Sequence, residues 1–229
     1  MESNLSCCQR IIRETTIWKV AQHPNILSFY GYQIVGGEAM LVSPWCKNGS
    51  LDSYIDKHKN LSEGEKLKLV PRGLAYLHSR NPPIAHGDIK PQNVIITDKV
   101  EAALCDFGIA RVMCDFTTGV TSRNPGAGTT RYQAKELLLD SAQPTNMSDL
   151  YAFGGLILAT MSGKPPFHQH KTTTSVILAI TQDQTPRPAD HLELDEKDPL
   201  WNLLRECWKT DPKKRPTVKQ VSRMVRLAS

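Results

Sequence analysis

The residues with the clearest chemical potential lie on one short stretch in the middle of the chain, His86 to Asn93. Within it, Asp88 supplies a carboxylate, Lys90 a cation and Asn93 an amide. A second acid, Asp106, follows thirteen residues after Asn93 in the triplet Asp-Phe-Gly. An acid, a cation and an amide on one loop are groups that can move a proton and hold a charged substrate. Either motif alone is a weak signal, whereas both together, in this order and at this separation, are a specific one.

These two stretches resemble the catalytic loop and the metal-binding motif of protein kinases, whose patterns are H-R-D-x-K-x-x-N and D-F-G. The resemblance implies that Asp88 accepts the proton of the substrate hydroxyl and that Lys90 steadies the transferred phosphate. It also implies that Asn93 and Asp106 bind the cofactor and hold Mg²⁺. The residue types fit this reaction, because phosphoryl transfer needs positioning and charge neutralisation more than covalent chemistry. The predicted cofactors are therefore ATP and Mg²⁺.

Further matches to this family lie before the catalytic loop. The segment Leu41 to Cys46 resembles the hinge, so Ser43 would be the gatekeeper and the backbone of Pro44 and Cys46 would meet adenine. Glu14 occupies the position of the regulatory-helix glutamate, which in active kinases pairs with a strand lysine. By residue type alone, Glu14 is equally typical of a solvated helix surface.

Matches after the catalytic loop concern residues that would support the site. The resemblance implies a structural or regulatory role for Glu14, Phe107, Gly108, Glu136, Asp149 and Arg215. Asp149 would brace the catalytic loop from a buried helix, and Arg215 would pair with Glu136 in the segment that shapes the peptide site. The ending from Cys207-Trp208 to Pro216 is most similar to tyrosine-kinase-like serine/threonine kinases, and Lys90 also favours Ser or Thr as the acceptor. The predicted partner is therefore a protein substrate.

The sequence departs from the family pattern in three ways that bear on activity. Its residues include no G-x-G-x-x-G turn and no V-A-I-K lysine, which in the family precede the regulatory helix. Gly87 stands where the family has an arginine, so no cation is expected there to receive an activation-loop phosphate. Lys135 replaces the proline of the A-P-E triplet, while Glu136 is retained. We therefore expect N-terminal truncation to impair catalysis by this chain.

The hydrophobic pattern predicts an α+β scaffold of the protein-kinase-like kind that would position these residues. Residues 1–46 are predicted to form a partial small N-lobe with its hinge, built from the regulatory helix and a β-hairpin over Ile26 to Val35 and Ala39 to Val42. Residues 47–229 are predicted to form a mainly helical C-lobe of the same kinase domain. Its predicted helices are Leu51–His58, Glu63–His78, Asn146–Met161, Thr174–Thr181, Leu200–Trp208 and Thr217–Leu227. Pro71 conflicts with an unbroken second helix, because a proline inside a helix costs ~3 kcal/mol or more.

Composition is that of an ordinary folded protein and argues against several classes of function. The 229 residues are 40% hydrophobic and 22% charged, near the averages of globular domains. The net charge of +5 is scattered along the chain, so no nucleic-acid partner is predicted. No apolar run reaches the ~20 residues that cross a bilayer, and no signal-peptide pattern opens the sequence. We therefore predict no membrane association, a cytoplasmic (intracellular) location and free thiols.

Three functions remain open on this basis. The motifs favour an ATP- and Mg²⁺-dependent protein Ser/Thr kinase. The absent Gly-rich turn and lysine favour a non-catalytic pseudokinase or scaffold. A small-molecule phosphotransferase is a third reading, because H-G-D-x-x-x-x-N also resembles the aminoglycoside and choline kinase loop, although Glu136 and Arg215 favour protein substrates. His86 is expected to be structural, and Cys105 to be a buried, unreactive thiol.

Overall fold

The N-terminal part of the protein is a short helix followed by a two-stranded ribbon. The computed structural model describes residues 15–35, 38–107, 110–112, 129–139 and 142–228. Residues 15–20 are helical and are named α1. Strands β1 (Gly31–Val35) and β2 (Glu38–Val42) pair antiparallel, with Gly31 opposite Val42 and Val35 opposite Glu38. The predicted hairpin is thus confirmed.

The rest of the described chain is mainly helical. Its helices are α2 (Leu51–Lys57), α3 (Glu63–Lys68), α4 (Gly73–His78), α5 (Lys135–Leu139), α6 (Asn146–Ser162), α7 (Thr173–Thr181), α8 (Leu200–Cys207) and α9 (Val218–Ala228). Four short strands accompany them: β3 (Ile84–Ala85), β4 (Val94–Ile96), β5 (Ala102–Leu104) and β6 (Arg111–Val112). Strand β3 pairs with β6 and β4 with β5, both antiparallel. The predicted protein-kinase-like α+β architecture, with a small strand-bearing part and a helical lobe, is confirmed.

Helix α6 is the centre of the helical lobe. It begins with a capping box, in which the Thr145 side chain accepts the Ser148 N–H and the Ser148 side chain accepts the Thr145 N–H. It ends at Gly163, whose φ of 69° is in the left-handed region that favours glycine. Every residue from Ser148 to Ser162 is buried. A helix buried on all sides must be apolar around its whole circumference, as this one largely is.

The predicted single helix over Glu63–His78 is wrong, because the chain forms α3 and α4 with a break at residues 69–72. Pro71 lies within the break, where it leaves no intrahelical hydrogen bond unmade. Helix α3 starts with its own capping box between Ser62 and Glu65. The conflict that Pro71 introduced into the sequence is therefore resolved by two shorter helices.

The predicted start of the first strand at Ile26 is also wrong. The ribbon begins only at Gly31, and Ile26 instead forms an isolated bridge with Leu104 of β5. The Leu27 N–H donates to the Leu104 carbonyl at 2.8 Å, and the Leu104 N–H donates to the Asn25 carbonyl at 2.9 Å. The segment after α1 is therefore tied to the helical lobe rather than to the hairpin.

The remaining predicted helices agree with the structure to within one residue at each end. The main hydrophobic core contains residues of α1, of the short strands β3 to β5 and of α6, α8 and α9, including Trp18, Leu104, Phe107, Leu156 and Trp201. Helix α7 packs with Phe167 in a second, smaller cluster. None of the helices in the described part of the chain is long and apolar enough to span a membrane.

Candidate active site

The catalytic-loop residues form a hydrogen-bonded cluster. Lys90 Nζ donates to Asp88 Oδ2 at 2.6 Å, and Asn93 Nδ2 donates to the same oxygen at 2.8 Å. Asn93 Nδ2 also lies 2.8 Å from the Asp88 carbonyl oxygen. A 3₁₀ turn over Pro91–Asn93 folds Asn93 back towards Asp88, and its first residue is a proline, which suits a position without an N–H partner. The three residues singled out in the sequence are thus in direct contact.

Pairing of β4 with β5 brings Asp106 to the same place. Val94 lies opposite Leu104 in this hairpin, so Asn93, just before β4, lies beside the residues that follow β5. The Cys105 N–H donates to the Asn93 carbonyl at 3.0 Å. Asp106 has a φ of 64°, a conformation that costs of order 1–3 kcal/mol in a non-glycine residue and is concentrated at functional sites. The sequence separation of thirteen residues is therefore closed by a short hairpin.

A column of aromatic rings joins α1 to the catalytic loop. Trp18 of α1 stacks on Phe29 with ring centroids 5.0 Å apart, and it also contacts Phe107 at 6.0 Å. Phe107 in turn contacts the His86 ring at 5.1 Å. Phe107 and His86 are both fully buried. The residue after Asp106 is therefore fixed between the regulatory-helix segment and the start of the catalytic loop.

Asp149 braces the catalytic loop from α6. Its carboxylate accepts the N–H groups of His86 and Gly87, both at 2.8 Å, and the ring nitrogen of His78 at 2.9 Å. The Asp149 side chain is 1% exposed, so these donors replace the water that a buried carboxylate would otherwise need. Gly87 has a φ of 83°, which a side chain at this position would adopt only with strain. The residue that replaces the expected arginine therefore also suits the backbone turn.

Glu136 and Arg215 form an ion pair near the start of α6, in which the arginine is buried and the glutamate is 21% exposed. Arg215 donates to both carboxylate oxygens of Glu136, at 2.6 and 2.9 Å. It also donates to the carbonyls of Met147 and Lys209, both at 2.9 Å. The Arg215 side chain is 1% exposed, and its guanidinium lies over the Tyr151 ring. This bidentate geometry fixes the segment that precedes α6.

The hinge residues lie in the extended segment between β2 and α2. Ser43, Pro44 and Cys46 are half-buried. The Cys46 carbonyl accepts the Gly49 N–H at 3.1 Å, which turns the chain towards α2. Pro44 has no N–H, so it can offer a ligand only its carbonyl, whereas Cys46 has both backbone groups. Burial and the charge of Asp98 raise the pKa of the Cys46 thiol.

Cys105 directly precedes Asp106, and its thiol is protonated at neutral pH. Burial raises its pKa to about 12, and the nearby charges of Asp106, Asp88 and Cys46 add to that effect against the opposing charge of Lys90. Because the thiolate is the nucleophilic form, this thiol is unreactive.

The donor set near Asp88 suits Mg²⁺ bound together with a phosphate ligand. The amide nitrogen of Asn93 is committed to Asp88, which leaves its amide oxygen as the group that can ligate a cation. Asp106 supplies a second oxygen donor, and it follows Cys105, whose N–H donates to the Asn93 carbonyl. Among the described residues no cluster of three or more His, Cys, Asp or Glu side chains could hold a metal ion unaided. Mg²⁺ is commonly bound by one or two protein oxygens with substrate phosphates completing its shell, so this donor set is sufficient.

Thr129 contacts the catalytic-loop cluster, and the sequence did not predict this. Lys90 Nζ donates to Thr129 Oγ1 at 2.8 Å as well as to Asp88. Thr129 belongs to the G-T-x-x-Y segment resembling the peptide site, which was the available signal. A cavity of about 10 Å³ between Asp88, Thr129, Tyr132 and Gln133 has room for about one water molecule. The role of Trp18 beside Phe107 was also missed, because a tryptophan on a helix is equally typical of a core.

Two of the predicted residues, Glu14 and Gly108, lie outside the described residues. Most of the Gly-, Thr- and Pro-rich loop from Thr117 to Thr130 lies outside them too, apart from its last two residues. All other residues predicted for the site are described.

A two-part fold with a hinge, an Asp-x-Lys-x-x-Asn cluster and an Asp-Phe-Gly segment packed beside it defines a protein kinase domain. The sequence profile of the protein kinase domain family matches residues 1–225. The chain therefore belongs to the protein kinase family, as the motifs predicted.

Individual relatives refine this assignment. The chain is 26% identical to mitogen-activated protein kinase kinase kinase 3 of Arabidopsis thaliana, with 96% of this chain and 35% of that protein covered. It is 29% identical to serine/threonine-protein kinase CTR1 of Arabidopsis thaliana, with 94% and 26% covered. It is 30% identical to receptor-interacting serine/threonine-protein kinase 3 of Rattus norvegicus, with 91% and 46% covered. These relatives are consistent with the tyrosine-kinase-like serine/threonine type, and the chain spans less than half of their length.

Proposed function

We propose that this domain transfers the γ-phosphate of ATP to Ser or Thr hydroxyls of protein substrates. The observation that carries the proposal is the hydrogen-bonded cluster of Asp88, Lys90 and Asn93 beside Asp106. A carboxylate that is to receive a proton must be held in place, and the cation and the amide that donate to Asp88 Oδ2 do this. The Ser/Thr specificity is supported by Lys90 and by the serine/threonine kinases among the relatives of this chain.

In the proposed reaction each residue has one task. Asp88 takes the proton of the acceptor hydroxyl. At the same time the hydroxyl oxygen bonds to the γ-phosphorus, and the bond between the γ-phosphorus and the departing ADP breaks. Lys90 holds the Asp88 carboxylate in position and neutralises charge on the transferred group. Bound Mg·ATP supplies the phosphoryl group and further charge neutralisation. Glu136, Asp149 and Arg215 act by fixing the elements that carry these groups.

The nucleotide is proposed to bind in the cleft between residues 1–46 and residues 47–229. Asn93 and Asp106 would hold Mg²⁺ with their side-chain oxygens, and Ser43, Pro44 and Cys46 would border adenine. Since the 229 residues include no Gly-rich turn and no V-A-I-K lysine, we expect the transfer rate of this chain to be low.

The test is phosphate transfer from labelled ATP to a degenerate Ser/Thr peptide library by the 229-residue chain and three variants. Asp88→Asn and Asp106→Asn should each reduce any transfer to background, because one removes the proton acceptor and the other a Mg²⁺ ligand. Asp56→Asn is the matched control, because the Asp56 carboxylate is exposed and its ion pair among the described residues is with Lys59. Transfer that persists in Asp88→Asn and Asp106→Asn would contradict the proposal.

Binding of Mg·ATP distinguishes the pseudokinase alternative. The binding is measured by calorimetry. If the wild-type chain binds Mg·ATP, the Asp106→Asn variant does not bind it, and no phosphate transfer is detected, the protein is a nucleotide-binding scaffold. The same transfer assay with choline and an aminoglycoside as acceptors separates the third reading. Transfer to either small molecule in preference to the peptides would contradict the assignment of protein substrates.

A further inference from the structure

Arg131 holds a loop of the helical lobe through its backbone. Its Nη1 donates to the carbonyls of Pro166, at 3.2 Å, and of Phe167, and its Nη2 donates to the carbonyl of His170 at 2.8 Å. Arg131 is half-buried. All three of these contacts are to backbone carbonyls, which carry only partial charges. One guanidinium therefore organises a five-residue stretch of backbone between α6 and α7.

The loop is shaped so that its carbonyls converge. Phe167 has a φ of 54° although it is not a glycine, and its side chain is 2% exposed. Such a conformation is unfavourable by itself and persists only when surrounding contacts fix it. Three carbonyl oxygens directed at one point also repel each other unless a cation lies between them. Arg131 supplies that cation, so the loop geometry depends on it.

The other end of the same turn touches the catalytic cluster. Arg131 belongs to the 3₁₀ turn Thr129–Tyr132. Thr129 Oγ1 accepts the hydrogen bond from Lys90 Nζ, which also donates to Asp88. Gly155 of α6 lies below the turn, where an added Cβ would be 3.0 Å from the Tyr132 ring and 3.1 Å from Pro166. The turn, α6 and the loop are thus packed at close range, and Arg131 is the polar connection between turn and loop.

We propose that Arg131 is a positioning residue of the peptide-acceptor site: by clamping residues 166–170 it holds Thr129 against Lys90 and so fixes Lys90 and Asp88 on the acceptor side. This inference rests on the proposed function, because it assigns Arg131 a part in binding the protein substrate. Nucleotide binding is proposed to depend on Asn93 and Asp106, whereas the clamp acts through Thr129 and Lys90, so the two functions can be measured separately.

The kinetic test compares wild type with Arg131→Gln and Arg131→Lys, each with the best peptide of a Ser/Thr library. In Arg131→Gln we expect kcat/KM for the peptide to fall by about 100-fold, the effect of misplacing a catalytic group by about 1 Å. The KM for ATP should stay at the wild-type value. Arg131→Lys keeps the charge without the forked donors, so it should recover part of the loss. Loss of folded protein alone would lower kcat and leave both KM values unchanged, and that result would overturn the proposal.

A second measurement needs no activity, so failure of the proposed function can be recognised separately. In hydrogen exchange followed by mass spectrometry, Arg131→Gln should speed exchange about 10-fold both at residues 129–132 and at residues 166–170. Arg205→Gln is the matched control. Among the described residues, the exposed Arg205 side chain hydrogen-bonds Asn202 one turn away, so hydrogen exchange in this variant should equal that of wild type. Faster exchange at 166–170 with wild-type exchange at 129–132 would overturn the positioning role. Wild type without peptide transfer would instead contradict the proposed function.

Discussion

The β1–β2 ribbon and the α6 lobe show opposite relations between sequence and burial. Tyr32 and Ile34 of the ribbon are 57% and 66% exposed, whereas Phe153 and Leu156 of α6 are 2% and 0% exposed. All four are apolar residues in regular secondary structure. A two-stranded ribbon has too few neighbours to cover its own faces, while a central helix is covered by the helices around it. The apolar residues therefore predict a helix or a strand. Whether those residues also stabilise the fold depends on the neighbouring elements that bury them.

The two regions are joined through the segment after α1. Asn25 Nδ2 donates to the Ala102 carbonyl at 3.0 Å, and the Leu27 N–H donates to the Leu104 carbonyl at 2.8 Å. Gly73, the first residue of α4, approaches the same turn so closely that an added Cβ would lie 2.3 Å from the Asn25 carbonyl oxygen. The N-terminal region is thus fixed through the segment after α1, and the ribbon extends from it.

The largest loss of stability is expected at Arg215, whose charged side chain is buried in the helical lobe. Arg215→Ala leaves Glu136 and two carbonyls without their donor, and breaking such a buried pair costs about 3–5 kcal/mol. Urea unfolding of the variant should show this loss in the free energy of unfolding. Arg187→Ala removes an exposed arginine paired with Asp190, and it should cost less than about 1 kcal/mol. Equal losses in the two variants would mean that burial does not separate these pairs.

The stability of the helical lobe should also depend on pH through His191. This side chain is fully buried, with its Nδ1 3.0 Å from Ser162 Oγ, and its ring contacts His168 and Trp201. Burial, followed by the charge of His168, lowers the pKa of His191 from 6.5 to about 4, with smaller effects of Asp190, Glu193 and Lys164.

The pKa of His191 is lower in the folded chain than in the unfolded chain. At a pH between these two values, His191 therefore binds a proton in the unfolded chain but not in the folded one. Stability due to His191 is therefore complete above pH 6.5 and lost as the pH falls towards 4, by about 3 kcal/mol in total. Urea unfolding at several pH values should show a shallower decline in His191→Gln than in wild type over this range. Parallel curves for the two proteins would contradict the assignment.

The junction between the two regions should respond to a single methyl group. Gly73→Ala places a Cβ against the Asn25 carbonyl, and overpacking of this kind costs about 1–3 kcal/mol. Gly64→Ala is the matched control, since nothing lies within 4 Å of the added Cβ and alanine favours the helix by up to ~1 kcal/mol. The midpoint temperature of thermal unfolding should therefore fall in Gly73→Ala and rise in Gly64→Ala. A stabilising Gly73→Ala would show that the junction is loosely packed.

The smallest effect is expected in the ribbon. Ile34→Thr keeps a β-branched residue at an exposed strand position and should change the free energy of unfolding by less than about 0.5 kcal/mol. Leu156→Ala in α6 should cost about 2–5 kcal/mol. Chemical denaturation of both variants measures the contrast directly. A large loss in Ile34→Thr would indicate that this face of the ribbon is covered in solution.

The sequence predicted most of the helices and the β1–β2 hairpin well because each carries its own local signal. A long apolar run indicates α6, and glycines between β-forming residues indicate the β1–β2 hairpin. The sequence failed at residues 26–30 and 69–72, where local preference competes with distant partners. Ile26 has strand character, yet its partner is Leu104 of the helical lobe. No local pattern contains that partner.

For the candidate site, the sequence by itself determined which residues are proposed to carry the chemistry, because Asp88, Lys90, Asn93 and Asp106 occur in motifs of fixed spacing. Only the tertiary structure decided how they meet. The β4–β5 hairpin brings Asp106 beside Asn93, α6 presents Asp149 to the loop, and a distant turn brings Thr129 to Lys90. Spacing is a property of one segment, whereas a contact across dozens of residues is fixed by the packing of the whole lobe.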